Sequence, residues 1–228
     1  MIQELILISI FGGLVALDRT EAYQTMLSQP LLIGPVVGFV LGDLPGGLTI
    51  GILFQLAYLW VMPIGTASFP DPAVGTVVGS SGFVLLNRLF PDRSNLILLL
   101  ILLFGILFSL FAGWTLIKQR ELNSKLLMKA DLYAERVKIT RLGHLLFWGL
   151  SGSFLRGFVI VASGILCILI LLKPLVRLLS FISELYLQNV ELPIWGLGIG
   201  TMVYLFGRSK NLLWCVWGVC LGMIFVFF

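Results

Sequence analysis

Charge is scarce in this chain. Of its 228 residues only 11% are Asp, Glu, Lys or Arg, whereas 59% are hydrophobic and the mean hydropathy is +1.06. A water-soluble domain of this length cannot be built from such a composition, because its surface must remain largely polar. Histidine occurs once, as His144, with no H-E-x-x-H pattern around it, so zinc-protease chemistry and a Ser/His/Asp set are excluded. The three cysteines, Cys167, Cys215 and Cys220, lie in apolar segments without metal-ligand spacing and read as small packing residues. No G-x-x-x-x-G-K-[ST] loop is present, so the chain does not hydrolyse ATP itself. GLGIG at 196–200 lacks the G-x-G-x-x-G spacing of a dinucleotide loop and reads as packing. No metal and no cofactor is expected, and these absences argue against an autonomous membrane enzyme.

What the chain has instead is apolar length. Residues 96–117 carry no charge and, at about 1.5 Å per residue, suffice to cross a hydrocarbon layer about 30 Å thick. Further apolar segments run over 4–17, 31–42, 48–62, 73–86, 144–172, 174–187, 192–206 and 211–228. The pattern predicts an all-α integral membrane protein: a multi-span helical bundle forming one membrane domain over 1–228. The opening MIQELILISIFGGLVAL has no basic region or small-residue cleavage site and reads as a first membrane segment. The only sustained polar stretch is 118–143, which carries Lys118, Arg120, Lys125, Lys129, Arg136, Lys138 and Arg141 and is expected on the cytoplasmic side. Leu122, Leu126, Leu132, Tyr133 and Val137 recur there at three- and four-residue intervals, predicting an amphipathic arm helix that lies on the membrane surface or packs on a partner. This arm separates a first half, 1–117, from a second, 144–228. No aromatic stacking platform accompanies the basic residues, so a nucleic-acid partner is not expected.

Two segments are too short to span. Residues 48–62 would cover roughly 22 Å as a helix and 73–86 about 21 Å. Between them lies IGTASFPDPAVG, residues 64–75, where Pro70 and Pro72 lack an amide hydrogen and push Phe69 and Asp71 toward extended geometry. The spacing predicts a broken or re-entrant helix over 63–72. Broken backbone at membrane depth is tolerated where it is buried in protein or lines a wet cavity, and it points to a transporter's binding site. An interfacial loop between two tilted spans is the simpler reading of the same residues. Gly34, Gly38 and Gly42 recur every four residues, as do Gly47 and Gly51, and Gly75 and Gly79, which predicts close helix packing.

Polar residues within apolar segments are few: Asp43, Gln55, Asp71 and Arg156. Ionisable groups at membrane depth are costly and face a partner or a cavity. Arg156 is expected either to pair with Asp71 or Asp43, or to stand at the start of a helix and snorkel to the interface. Gln55 suits an interhelical hydrogen bond or a sugar hydroxyl, since an amide both donates and accepts. Asp71 reads as a hydroxyl acceptor or as a loop cap.

LDRTEAYQTMLSQPLLIGPVVGFVLGD at 17–43, GGLTIGILFQLAYLWVMPIGTASFPDPAVGTVVG at 46–79 and FLRGFVIV at 154–161 resemble the IIC membrane subunit of mannose/fructose/sorbose-type sugar phosphotransferase systems. The resemblance is dense over residues 12–90 and thinner through 144–206. It implies a sugar permease subunit of the bacterial cytoplasmic membrane that moves its substrate by an elevator-like displacement. It also implies pairing with a IID membrane subunit, commonly as a trimer of IIC–IID pairs, and phosphate supplied by cytoplasmic IIA and IIB proteins. The sugar is then expected near Gln55, Thr66, Ser68 and Asp71, with Asp43 and Arg156 supporting the core. Many family members are expected to carry glutamate at the position of Gln55, which keeps open a non-transporting receptor or regulatory subunit. The closing GVCLGMIFVFF reads as a trimmed or diverged last segment relative to that family.

Overall fold

A computed structural model describes residues 2–22, 24–61 and 70–206, and among these there are helices and no strand. The helices are α1 (Ile2–Thr20), α2 (Pro30–Leu41), α3 (Leu44–Ala57), α4 (Pro72–Leu89), α5 (Ser94–Glu135), α6 (Ile139–Cys167), α7 (Lys173–Leu178) and α8 (Leu192–Phe206). Residues 211–228 and most of the 63–72 break lie outside the described residues.

α2 and α3 form a hairpin of 12 and 14 residues, roughly 18 and 21 Å long, each too short for a membrane about 30 Å thick. Its turn is made by two residues. Gly42 takes the left-handed conformation (φ 76°) and ends α2, with the Asp43 amide bonded to the Gly38 carbonyl at 2.8 Å. Asp43 then starts α3, its Oδ1 accepting from the Gly46 amide at 2.9 Å. The four-residue glycine spacing is used as expected for Gly34, Gly38, Gly47 and Gly51, but Gly42, expected on the same face, is the turn residue instead. A β-carbon on Gly34 would fall 2.7 Å from the Gly51 Cα, and one on Gly47 would fall 2.6 Å from the Gly38 Cα. The two backbones touch, which only side-chain-free faces permit.

α4 is the central helix: every residue from Pro72 to Leu86 is buried. It packs against α1, α2, α3, α5 and α6. A helix enclosed on all sides needs small residues, and Gly75 and Gly79 let Ser109 of α5 and Phe54 of α3 approach. Two of its hydroxyls are satisfied locally, Thr76 donating to the Pro72 carbonyl at 2.7 Å and Ser81 to the Val77 carbonyl at 2.6 Å, whereas the buried Ser80 Oγ has no partner among the described residues. α1 lies along α6. A β-carbon on Gly13 would fall 2.6 Å from the Phe154 ring, and one on Gly157 2.7 Å from the Gly12 carbonyl oxygen.

The arm differs from expectation in one respect. α5 runs 42 residues without interruption, so the polar stretch from Lys118 is the distal part of the same helix that begins in the apolar segment. Nothing in its sequence stops the helix at the polarity change, since neither proline nor a capping signal occurs there. The chain then turns at 136–138, and the arm packs on the start of α6. Leu126 and Tyr133 are half-buried, Arg141 stacks 5.4 Å from the Tyr133 ring centre, and Leu122, Leu132 and Val137 are exposed.

α6 passes through a π-helical turn (Ile168–Leu172) into α7, a run of 40 residues from Ile139 to Leu178. Pro174 lacks the amide that would continue regular bonding, and the π turn sits directly before it. The expected apolar segment 174–187 is not one helix. α7 stops at Leu178 and the chain folds back, so that Glu184 accepts from the Asn95 and Leu96 amides at 2.9 and 3.4 Å and caps α5. Among the described residues two helices are long and apolar enough to cross a membrane, Pro91–Glu135 and Ile139–Leu178. Leu103, Leu107, Trp114, Ile170 and Leu171 remain exposed on them, as a lipid-facing surface requires. The chain is an all-α membrane bundle packed around α4, with the short α2–α3 hairpin against it.

Candidate functional site

Pro70-Asp71-Pro72 anchors the buried end of α4. The Asp71 amide donates to the Ser109 carbonyl of α5 at 2.9 Å, and its Oδ1 accepts from the Val74 amide at 3.3 Å, capping α4. The Asp71 side chain is 0% exposed, and two arginines neutralise it. Both Nη atoms of Arg156 lie 3.5 Å from Oδ2, and Arg19 Nε lies 3.6 Å from Oδ1. Arg156 also donates to the Ala112 carbonyl at 3.3 Å and to Thr115 Oγ1 at 3.4 Å. One carboxylate thus joins α1, α4 and α6, and Arg156 ties them to α5.

Of the two partners expected for Arg156, the structure selects Asp71. The snorkelling alternative is excluded, because α6 begins at Ile139 and Arg156 lies well inside it with its side chain 7% exposed. Asp43 is elsewhere, at the N-terminus of α3, where it caps the helix.

Beside this cluster is a cavity of about 250 Å³, lined among others by Arg19, Ser28, Gln55, Tyr58, Val61 and Pro72. Asp71 stands behind its wall, behind Arg19 and Pro72. Gln55 Oε1 accepts from the Leu31 amide at 3.3 Å, in the first turn of α2. That backbone group can only donate, so the Gln55 oxygen faces α2 and its NH₂ is left to serve the cavity. Thr66 and Ser68 lie outside the described residues, in the segment that Val61 and Pro70 border along the chain.

Three contributors were not singled out from sequence. Arg19 is the first. Its neighbour Asp18 is the second: Oδ1 accepts from the Thr25 amide and hydroxyl at 2.7 and 2.6 Å and Oδ2 from the Ser28 amide at 3.0 Å, folding 25–28 into the cavity wall. Adjacent residues on a helix point about 100° apart, so the Asp-Arg pair serves two separate tasks. The third is Tyr58, whose hydroxyl bonds Ser109. Ser109 itself donates to the Ile106 carbonyl at 2.7 Å, so Tyr58 is the donor of the pair. Because Ser109 keeps its own acceptor, Tyr58→Phe is expected to cost only about 1 kcal/mol, checked by thermal unfolding in detergent. The signal for Arg19 and Asp18 was an opposite-charge pair at the end of a helix whose one other charge is Glu4.

Among the described residues no group of three or more His, Cys, Asp or Glu is placed to hold a metal ion. The site is neutral on balance for the Asp71–Arg156 pair and otherwise rich in donors. Such a lining suits hydroxyl and carbonyl oxygens of a small polar solute.

Known proteins place this arrangement in context. A solved structure described only as a membrane protein superposes with a TM-score of 0.70 at 19% identity, covering 100% of this chain and 87% of the other. The mannose transporter ManYZ in complex with microcin E492 superposes with a TM-score of 0.61 at 18% identity, with the same coverage. At these identities the likeness establishes the fold alone. A putative N-acetylgalactosamine permease IIC component 2 of Escherichia coli strain K12 is 35% identical over 68 residues, 30% of this chain and 50% of that protein. The match with that relative thus spans half its length. Residues 2–224 match the PTS system sorbose-specific IIC component family, and the chain belongs to it.

Proposed function

We propose that this chain is the sugar-holding subunit of a mannose-family phosphotransferase permease. The observation that carries the reading is the donor-lined cavity between the α2–α3 hairpin and the Asp71 ion-pair cluster. A hexose-type sugar sits there, with Gln55 and Arg19 donating to its oxygens and Thr66 and Ser68 adding hydroxyls. Asp71 belongs to the same set and fixes Arg19 at the wall. Asp43 and Arg156 support the core that moves. The hairpin and α4 form that core, which shifts as a unit in an elevator-like step and releases sugar inward. A IID membrane subunit completes the permease, in trimers of IIC–IID pairs in the bacterial cytoplasmic membrane. The chain performs no phosphoryl transfer: cytoplasmic IIA relays phosphate to IIB, which modifies the arriving sugar near the basic arm.

The test is sugar uptake by cells expressing the full subunit set. Gln55→Ala and Asp71→Ala are each expected to lower uptake about tenfold or more, as the loss of one or two buried hydrogen bonds dictates. Unchanged uptake in both variants removes the site assignment. A receptor or regulatory subunit is the second reading, favoured by Gln55 being uncharged and tied to α2. Sugar binding without phosphorylation, in membranes supplied with IIA, IIB and IID, would select it.

A further inference from the structure

The far end of α4 holds a second polar cavity, which the proposed function leaves unused. Its volume is about 370 Å³, and its lining includes Asp43, Asn87, Asn95, Gln188 and Glu191. Polar side chains are few in this molecule, and several from four different segments meet here. We propose that this cavity is a second binding site for a neutral polyhydroxylated solute, an outer reception site for the sugar that the Gln55 cavity carries. The proposal rests on that reading of the Gln55 cavity.

Three observations carry it. Asn87 Oδ1 is buried without a hydrogen-bond partner among the described residues. A buried carbonyl oxygen left unbonded is unfavourable, and because Asn87 itself lines the cavity and is only partly buried, turning its amide brings the oxygen to the cavity, where a ligand hydroxyl removes the deficit. The walls are also fixed by dedicated contacts. Asp43 is held by the Gly46 amide, Glu184 by the Asn95 and Leu96 amides, and the Arg93 guanidinium donates to the Ile182 carbonyl at 3.0 Å. These contacts pin the stretch that supplies Gln188 and Glu191 over the start of α5. Finally, the placement suits reception. Pro72 lines the first cavity and Asn87 the second, about 22 Å apart along α4. The second cavity also takes the beginning of α5, whereas the basic arm is its end, so the cavity lies at the opposite end of α5 from the arm.

The chemistry selects the ligand class. Amides supply donors, and Asn87, Asp43 and Glu191 supply acceptors, so a molecule whose hydroxyls both donate and accept satisfies the set. No lining residue is cationic, and two are carboxylates, which disfavours an anionic solute. A metal ion is disfavoured by the absence of a three-ligand cluster among the described residues.

The experiment is equilibrium binding and uptake with the intact IIC–IID complex in proteoliposomes, with mannose and N-acetylgalactosamine as probes. Two sites per IIC chain are expected for the sugar that is taken up. Asn87→Leu removes the weaker one and raises the half-saturating concentration for uptake about fivefold, whereas Gln55→Ala removes the tighter one. Gln188→Ala and Glu191→Gln, both on the surface stretch, provide the same reading without a core substitution. One site per chain, with all three variants unchanged, overturns the outer site and leaves the Gln55 reading standing. Loss of uptake and binding in the parent complex overturns both. A second site that forms only with added calcium or magnesium overturns the assignment to a neutral solute.

Discussion

Asp71→Ala leaves the two arginines Arg19 and Arg156 facing one another in an apolar interior, and the fold is expected to lose about 3–5 kcal/mol. The figure is large because the side chains of Arg156 and Arg19 are only 7% and 10% exposed, so water does not replace the missing carboxylate. Asp71→Asn separates two roles of the residue. It keeps an oxygen to accept from the Val74 amide but removes the charge, so most of the loss should remain. Removing both charges, as in Asp71→Asn with Arg156→Leu, should cost less than the sum of the single changes, because the second change no longer strands a partner. Thermal unfolding of the four proteins in one detergent closes the cycle. Additive losses would mean that the two groups are not energetically coupled.

Gly47→Leu is the second large effect. Its β-carbon would meet the Gly38 Cα at 2.6 Å and the Gly38 amide nitrogen at 2.8 Å. The obstruction is backbone, which has no rotamer to change, so the expected cost is about 3 kcal/mol, the upper part of the range for overpacking. The hairpin must open, and sugar uptake should fall with stability. Gly143→Leu is the control: nothing lies within 4 Å of a β-carbon there, and it should change unfolding little. A hairpin that tolerates Gly47→Leu with an unchanged melting temperature would show that the close contact is not a packing requirement.

The hairpin was the most readable part of the fold. The glycine spacing specifies which of its faces meet, whereas the turn was not read in advance: Gly42, grouped with the packing glycines, ends α2 in the left-handed conformation, and Asp43 caps α3, which starts four residues before the apolar run. α8 was equally plain at its start, Leu192, where the apolar run begins. Boundaries that depend on hydropathy alone were less legible. Polarity changes at Lys118, but a helix ends where its hydrogen bonding fails, and α5 has nothing there to make it fail. In the site, the Asp71–Arg156 pair could be anticipated because each is an unpaired charge in an apolar segment. Arg19 could not be placed as readily. Sitting in the last turn of α1, it reads as an interfacial cation, and only the crossing of α1 with α4 and α6 turns it inward. The Tyr58–Ser109 bond joins residues 51 apart in sequence, a distance over which periodicity carries no information.

The unbroken course of α5 has a mechanical consequence. Its 42 residues make a rod of roughly 63 Å with no proline and no hinge at the membrane surface. Its start forms one wall of the outer cavity and its end is the arm. Such a rod behaves as a lever: tilting it about its outer end displaces the tip by about 1 Å per degree, given that length. A protein gripping the arm therefore exerts torque on the far wall of the bundle, and a shift of that wall is delivered, enlarged, to whatever holds the arm.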